Sequence, residues 1–167
     1  LGDLVPCIDA RAFVHPDAVV IGDVVIGPES TVWPSAVLRG DYGKISVGSR
    51  TSIQDGSVIH AGPGFPTLIG NGCVIGHLVH LEGCVLDDEC LIGSGSVVLH
   101  HVQVGSGATV GAGAVVPNGM IIPPQAMAVG VPAVVRPDRS QPEGIRLAAD
   151  VYVRNGERYR SGLRLLD

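Results

Sequence analysis

The sequence predicts an all-β solenoid, a parallel β-helix with one α-helix at its C-terminal end. Three observations carry that reading. Eighteen branched aliphatic residues fall on a six-residue ladder: Val14, Val20, Ile26, Val32, Leu38, Val47, Ile53, Ile59, Ile69, Ile75, Leu81, Leu86, Ile92, Val98, Val104, Val110, Val116 and Ile122. Six is a multiple of the strand period of two and matches no helical period. Glycine follows many rungs, as in Ile26-Gly27, Val47-Gly48, Ile75-Gly76 and Val104-Gly105. The composition is 46% hydrophobic but only 4% aromatic, which suits small and β-branched residues stacked along a thin axis. One short strand and a turn fit into six residues, so three units close a triangular coil of eighteen.

The elements follow in chain order. Residues 1–13 read as a lead-in that caps the first coil, and coils run from about Val14 to Pro132. The ladder breaks three times. A step of nine between Leu38 and Val47 admits Arg39-Gly40-Asp41-Tyr42-Gly43. A step of ten between Ile59 and Ile69 extrudes a loop from Ala61 to Thr67, and a step of five between Leu81 and Leu86 is a one-residue deletion. Irregularities in a regular solenoid are where function tends to sit. Residues 1–135 form the expected β-helix domain, and 136–167 the linker and C-terminal helix. The linker is Arg136 to Gln141. Beyond it Ile145, Ala148, Ala149, Tyr152, Gly156, Tyr159, Leu163 and Leu166 recur at helical spacing, with weak points at Gly156 and Gly162.

Composition also narrows the partners. The 24 glycines and 12 prolines suit many tight corners. A net charge of −5 with no basic run argues against nucleic acid and anionic membranes. No signal peptide and no apolar run of membrane-spanning length is visible, so a cytoplasmic chain is expected. Of the four cysteines, Cys73 and Cys90 share a phase one coil apart. They read as small apolar residues, with a disulfide as the alternative.

Histidines and an acid gather around the middle loop. His60 lies one past Ile59 and Glu82 one past Leu81, so Glu82 stacks over His60 on the next coil. His77 lies two past Ile75, at another corner. It would meet His60 and Glu82 only across a subunit boundary. Two nitrogens and an oxygen with an open position make a catalytic-metal arrangement. His80 precedes Glu82 by two and shares its face if that segment is a strand. His15, His100 and His101 read as structural or solvated, the last two because Leu99 holds the phase above Glu82.

The repeat resembles the hexapeptide class, whose β-helix is left-handed. Within it, Val37-Leu38-Arg39-Gly40-Asp41, Ile53-Gln54-Asp55-Gly56-Ser57-Val58-Ile59-His60 and Ile75-Gly76-His77 leading into Leu81-Glu82-Gly83-Cys84 resemble the γ-class carbonic anhydrase family. The resemblance implies a homotrimer with zinc, or iron or cobalt, bound by three histidines between subunits. It implies reversible hydration of carbon dioxide to bicarbonate, a lyase reaction, by hydroxide formed on the metal. By motif match, His60 and His77 are two of the ligands, and Glu82 stands where the third family histidine falls. Three readings of that departure are open: glutamate ligates, His80 substitutes, or the metal site is lost or weakened. The same match makes Arg39 and Asp41 an interface pair supporting the site. It gives Gln54 the role of orienting the water and brings Tyr152 toward the site. Gln54, one past a core isoleucine, is expected to face outward. The acids that serve proton transfer in the family are absent, since Tyr42 follows Asp41 and loop 61–67 has none.

Two other functions remain open. Many hexapeptide proteins are acyltransferases, and Ala128-Val129-Gly130-Val131-Pro132-Ala133 looks like their late turn. There, however, Val134 takes the place of a common lysine. A thioesterase-like role within the γ-class relatives remains possible. The other reading is a catalytically inactive trimer, a scaffold or small-ligand binder.

Overall fold

The ladder residues become three columns. In the structure, a computed structural model that describes Gly2 and residues 4–164, the chain winds about seven turns as a left-handed parallel β-helix with one C-terminal helix. Successive coils pair in register. Val20, Leu38, Ile59, Leu81, Val98 and Val116 stack along one inner edge. Ile26, Val47, Ile69, Leu86, Val104 and Ile122 form the second column. Val14, Val32, Ile53, Ile75, Ile92 and Val110 form the third. All but Val14 and Val20 are buried, and those two pack against the same core.

Two faces of the prism share one 11-stranded sheet, because the long strands Val19–Ile26 and Val37–Val47 turn the corner between them without interruption. The segment from Arg39 to Gly43, expected as an irregular insert, is therefore extended strand. The third face is an 8-stranded sheet whose last member, Val134–Arg136, runs antiparallel to Met127–Val129. That reversal occupies the start of the expected linker. At the other end, Cys7–Ile8 pairs with Val25 and Ile26, so coiling begins before Val14. Ile8 lies six residues before Val14 and continues the ladder in register with Ile26, although it is exposed. The four cysteines are free thiols. Cys73 and Cys90 stack as expected, with the Cys90 amide 3.4 Å from the Cys73 sulfur, and burial pushes the Cys84 thiol up to about 12.

Helix α1 (Pro142–Gly162) lies along the third face, over the strands Phe13–Val14, Thr31–Val32, Ser52–Ile53 and Val74–Ile75. Ile145 and Ala149 are buried against Val74. Four of the six aromatics close the seam. Trp33 packs against Phe13, Tyr152 and Tyr159 at ring separations of 5.5, 5.9 and 5.1 Å. Its indole N–H donates to Thr31 and Ser52 hydroxyls at 3.0 and 3.1 Å. Arg50 ties the coil to Asp150 at 2.5 Å. Leu163, expected on the apolar stripe, lies past the helix end and is exposed; Leu166 lies outside the described residues. No described helix is long and apolar enough to cross a membrane.

Gly156 is a close-approach residue rather than a weak point. A Cβ there would lie 2.7 Å from the Thr31 methyl and 3.3 Å from the Phe13 Cβ. Gly156→Ala gains about 1 kcal/mol of helix propensity and loses about 1–3 kcal/mol to overpacking. Thr31 is held by its hydrogen bonds and has little freedom to yield, so a lower melting temperature is expected. Gly144→Ala, with open space around the new methyl, should not lower it. Thermal unfolding of the two variants followed by circular dichroism checks the contrast.

Candidate metal and proton site

Register builds the first half of the site. Arg39, His60 and Glu82 are Cα partners on three successive coils and project from one face. Glu82 Oε1 lies 3.0 Å from His60 Nδ1. On the other side of the ring, His60 Nε2 lies 3.1 Å from Asp41 Oδ1, and Asp41 is paired in turn with Arg39. His60 is thus held between two carboxylates, one at each ring nitrogen. His80 shares the Glu82 face as the strand reading required, with Nε2 3.3 Å from Oε2. The loop below is pinned to the same strand, where Thr67 donates to the His60 carbonyl at 2.5 Å and accepts from the Gly83 amide at 2.8 Å.

One contact overturns an expectation. His100 reaches Glu82, with Nε2 3.5 Å from Oε1. Leu99 does occupy the phase above Glu82, but the imidazole one residue further leans down a full coil. Burial pushes the Glu82 carboxyl up, and the facing His60, His100 and His80 outweigh it, leaving Glu82 below the usual carboxylate range. Asp41 is likewise lowered, with burial opposed by hydrogen bonds from Arg39 and His60.

The second half stands at the other end of the strands Val58–His60 and His80–Glu82. His77 Nδ1 lies 3.0 Å from Asp55 Oδ2, and both side chains are about half exposed, at 52% and 48%. Beside them Gln54 is only 4% exposed, since the side of the coil it lies on is covered by other parts of the chain. Trp33 and α1 cover that corner, with Tyr152 packed against Trp33 and close to Gln54. Burial raises the Tyr152 pKa, and the nearby Asp55 charge adds to the rise. The structure thus gathers Arg39, Asp41, His60, His80 and Glu82 at one end of a face and Gln54, Asp55, His77 and Tyr152 at the other. Among the described residues no three His, Cys, Asp or Glu side chains of a single chain converge as a metal-binding group.

The relatives bear on what two half-sites mean. Residues 66–100 and 83–118 match the bacterial transferase hexapeptide (six repeats) family. A carbonic anhydrase of Geobacillus kaustophilus is 42% identical over 161 residues, covering 93% of this chain and 87% of the relative. The chain belongs to the γ-carbonic anhydrase family of hexapeptide-repeat proteins. The mitochondrial gamma carbonic anhydrase 1 of Arabidopsis thaliana is 45% identical over 120 residues, which span 65% of this chain but only 44% of that relative. The carnitine operon protein CaiE of Escherichia coli is 38% identical over 130 residues, 78% of this chain and 66% of CaiE. Among solved structures, a hexapeptide transferase family protein from Anaplasma phagocytophilum superposes with a TM-score of 0.89 at 32% identity, covering 97% and 95% of the two chains. The family therefore includes members named for different roles, and the chemistry has to be argued from the residues.

The lowered carboxylates have a measurable consequence. Their contribution to stability is fully present above the ordinary range, near about pH 4, and is lost as pH falls through the lowered folded values. Acidification should therefore lower the melting temperature of the native chain more steeply than that of Asp41→Asn. Melting curves taken across the acid range check this; parallel slopes would show that Asp41 has no linked charge.

Proposed function

We propose that the chain is a metal-dependent hydratase of the γ-carbonic anhydrase type, acting on carbon dioxide and bicarbonate in the cytoplasm. Each site is assembled between two copies of a homotrimer, from His60 and Glu82 of one copy and His77 of the next. The observation that carries this reading is the division of the site residues. Two incomplete sets stand at opposite ends of one flat face, and each lacks what the other has. The outer surface between and above them carries Val37, Val58, Val97 and Val115, stacked in register around His80. Val58 is exposed, and an apolar column on a flat face suits packing against another copy.

The donors fit a transition metal in kind. Two imidazole nitrogens and a carboxylate oxygen suit zinc, iron or cobalt. When bound, such an ion supplies the Lewis acidity that makes water a nucleophile near neutral pH. The chain's own residues do the rest. Asp41, fixed by Arg39, holds one nitrogen of His60 and so sets the ring's orientation, as carboxylates behind ligand histidines do. Gln54, buried beside Tyr152, would orient a water or a substrate oxygen near His77. Glu82 cancels one more unit of metal charge than histidine would, so slow turnover is expected.

A metal-free scaffold or small-ligand-binding trimer is the second reading. It is favoured by the closure of both His60 nitrogens by carboxylates within a single chain. An acyltransferase or thioesterase role has only the likeness of the fold to transferases behind it, and fold does not decide function.

Elemental analysis of the purified protein separates the first two readings. Near one zinc, iron or cobalt per chain is expected, and protein that is metal-free and takes up none on addition would remove the hydratase reading. His77→Ala should lower metal content while leaving the far-ultraviolet circular dichroism unchanged. Glu82→His should raise the carbon dioxide hydration rate, measured by stopped flow; no gain would show that position 82 does not limit it.

A further inference from the structure

Helix α1 has a second face. Ile145, Ala149, Tyr152 and Gly156 hold it against the coils, and all but Tyr152 are buried there. Leu147, Val151, Arg154 and Arg158 each stand two residues past one of these. Two residues advance a helix by about 200°, so this second set lines the opposite side. All four are exposed. Elsewhere on the helix, Arg146 is paired with Glu89 and Asp150 with Arg50. Arg154 and Arg158 have no carboxylate partner among the described residues, and Arg158 lies over the Tyr159 ring at 5.4 Å. The outer stripe is therefore apolar in its first half and cationic in its second.

The 11-stranded sheet carries the complement on the face that follows the Val58 face around the prism. Leu68, Val85, Gln103 and Ile121 stack in register on its outside, and Val85 and Ile121 are exposed. Asp87 and Asp88 follow the strand Val85–Leu86 and line a shallow hollow with Leu68 and Ser106. Both aspartates are exposed, and neither has a basic partner among the described residues. Each surface also carries one charge of the opposite sign, Glu143 at the helix start and Lys44 on the long strand. Neither surface is the Val58 face that the trimer reading uses, so both stay open in that trimer.

We propose that the outer stripe of α1 docks on this acidic, apolar face of a second copy, so that trimers associate side by side. Charge complementarity carries the inference. Two surfaces of one chain are exposed and apolar, and their unpaired charges are opposite in sign. Leu147 and Val151 would cover Leu68 and Val85, and Arg154 and Arg158 would face Asp87 and Asp88. The contact joins different patches of two identical chains, so it extends an assembly rather than closing a pair. Its specificity comes from exposed charges, which salt screens. It requires no metal.

Sedimentation velocity of the full chain, over a series of protein concentrations at low and high sodium chloride, tests this. The native protein should show species larger than a trimer that grow with concentration at low salt and disappear at high salt. Two charge reversals probe the contact, Arg154→Glu with Arg158→Glu on the helix and Asp87→Lys on the face. Asp88 is left in place because its carboxylate holds the Asn71 amide at 2.7 Å. Each variant alone should lose the larger species, and an equimolar mixture of the two should regain them. Arg136→Glu with Arg139→Glu changes the net charge equally, away from both surfaces, and should associate as the native chain does. Circular dichroism verifies that every variant is folded. A native protein that stays one species at all concentrations and salts overturns the proposal. So does a larger species that survives both reversals, or a mixture that regains nothing. If the variants sediment as monomers, the trimer reading falls, while the mixture still decides this contact.

Discussion

Everything in this molecule depends on the in-register stacking of one coil on the next. Backbone hydrogen bonds between coils fix each residue above its counterpart at the ordinary strand spacing. One-dimensional order in the sequence thereby becomes columns in space. Inside, the columns are aliphatic, and truncating one rung would open a cavity costing about 2–5 kcal/mol. Outside, the same rule stacks Arg39, His60 and Glu82 without a long loop to organise them. A solenoid of this kind builds a site from neighbouring coils, with positions set by the backbone ladder rather than by side-chain packing.

The site sits where that regularity is locally relaxed. The long strand Val37–Val47 carries Arg39 and Asp41 around a prism corner, where a six-residue unit would have turned. The loop below His60 brings Phe65 up against His100, and the shortened turn at Gly83 admits that imidazole. Each departure from the six-residue rhythm shapes the surroundings of His60, His100 or Glu82. The core columns pass beneath all three without a break.

Much of this was legible in the sequence, for physical reasons. The ladder reports the core because only a fixed coil length keeps the same residue type pointing inward. Phase counting put Glu82 over His60 and separated His77 from both, because it locates Cα positions. It failed where side-chain length or later packing decided the matter. His100 reaches down a coil from a phase that Cα counting assigned elsewhere. Gln54 is one past a core residue and would face solvent on a bare coil, but α1 covers that corner. The corners were opaque for another reason. Glu29, Ser35, Arg50, Leu78, Glu89 and His101 all adopt the left-handed backbone region, which sequence reading assigns to glycine or asparagine. At these positions the coil geometry overrides the local preference.

The C-terminal helix has a consequence for the order of assembly. It is synthesised after all the coils, yet it rests on early ones, over Phe13, Thr31 and Ser52, and Arg160 reaches the carbonyl of Ala10 across 150 residues of chain. While the chain emerges, those early coils can stack, but the aromatic seam around Trp33 stays open to water. A nascent β-helix therefore carries an unsealed face on its early coils until the helix returns to close it. Completion of this face is then a single late docking event that joins segments far apart in the chain.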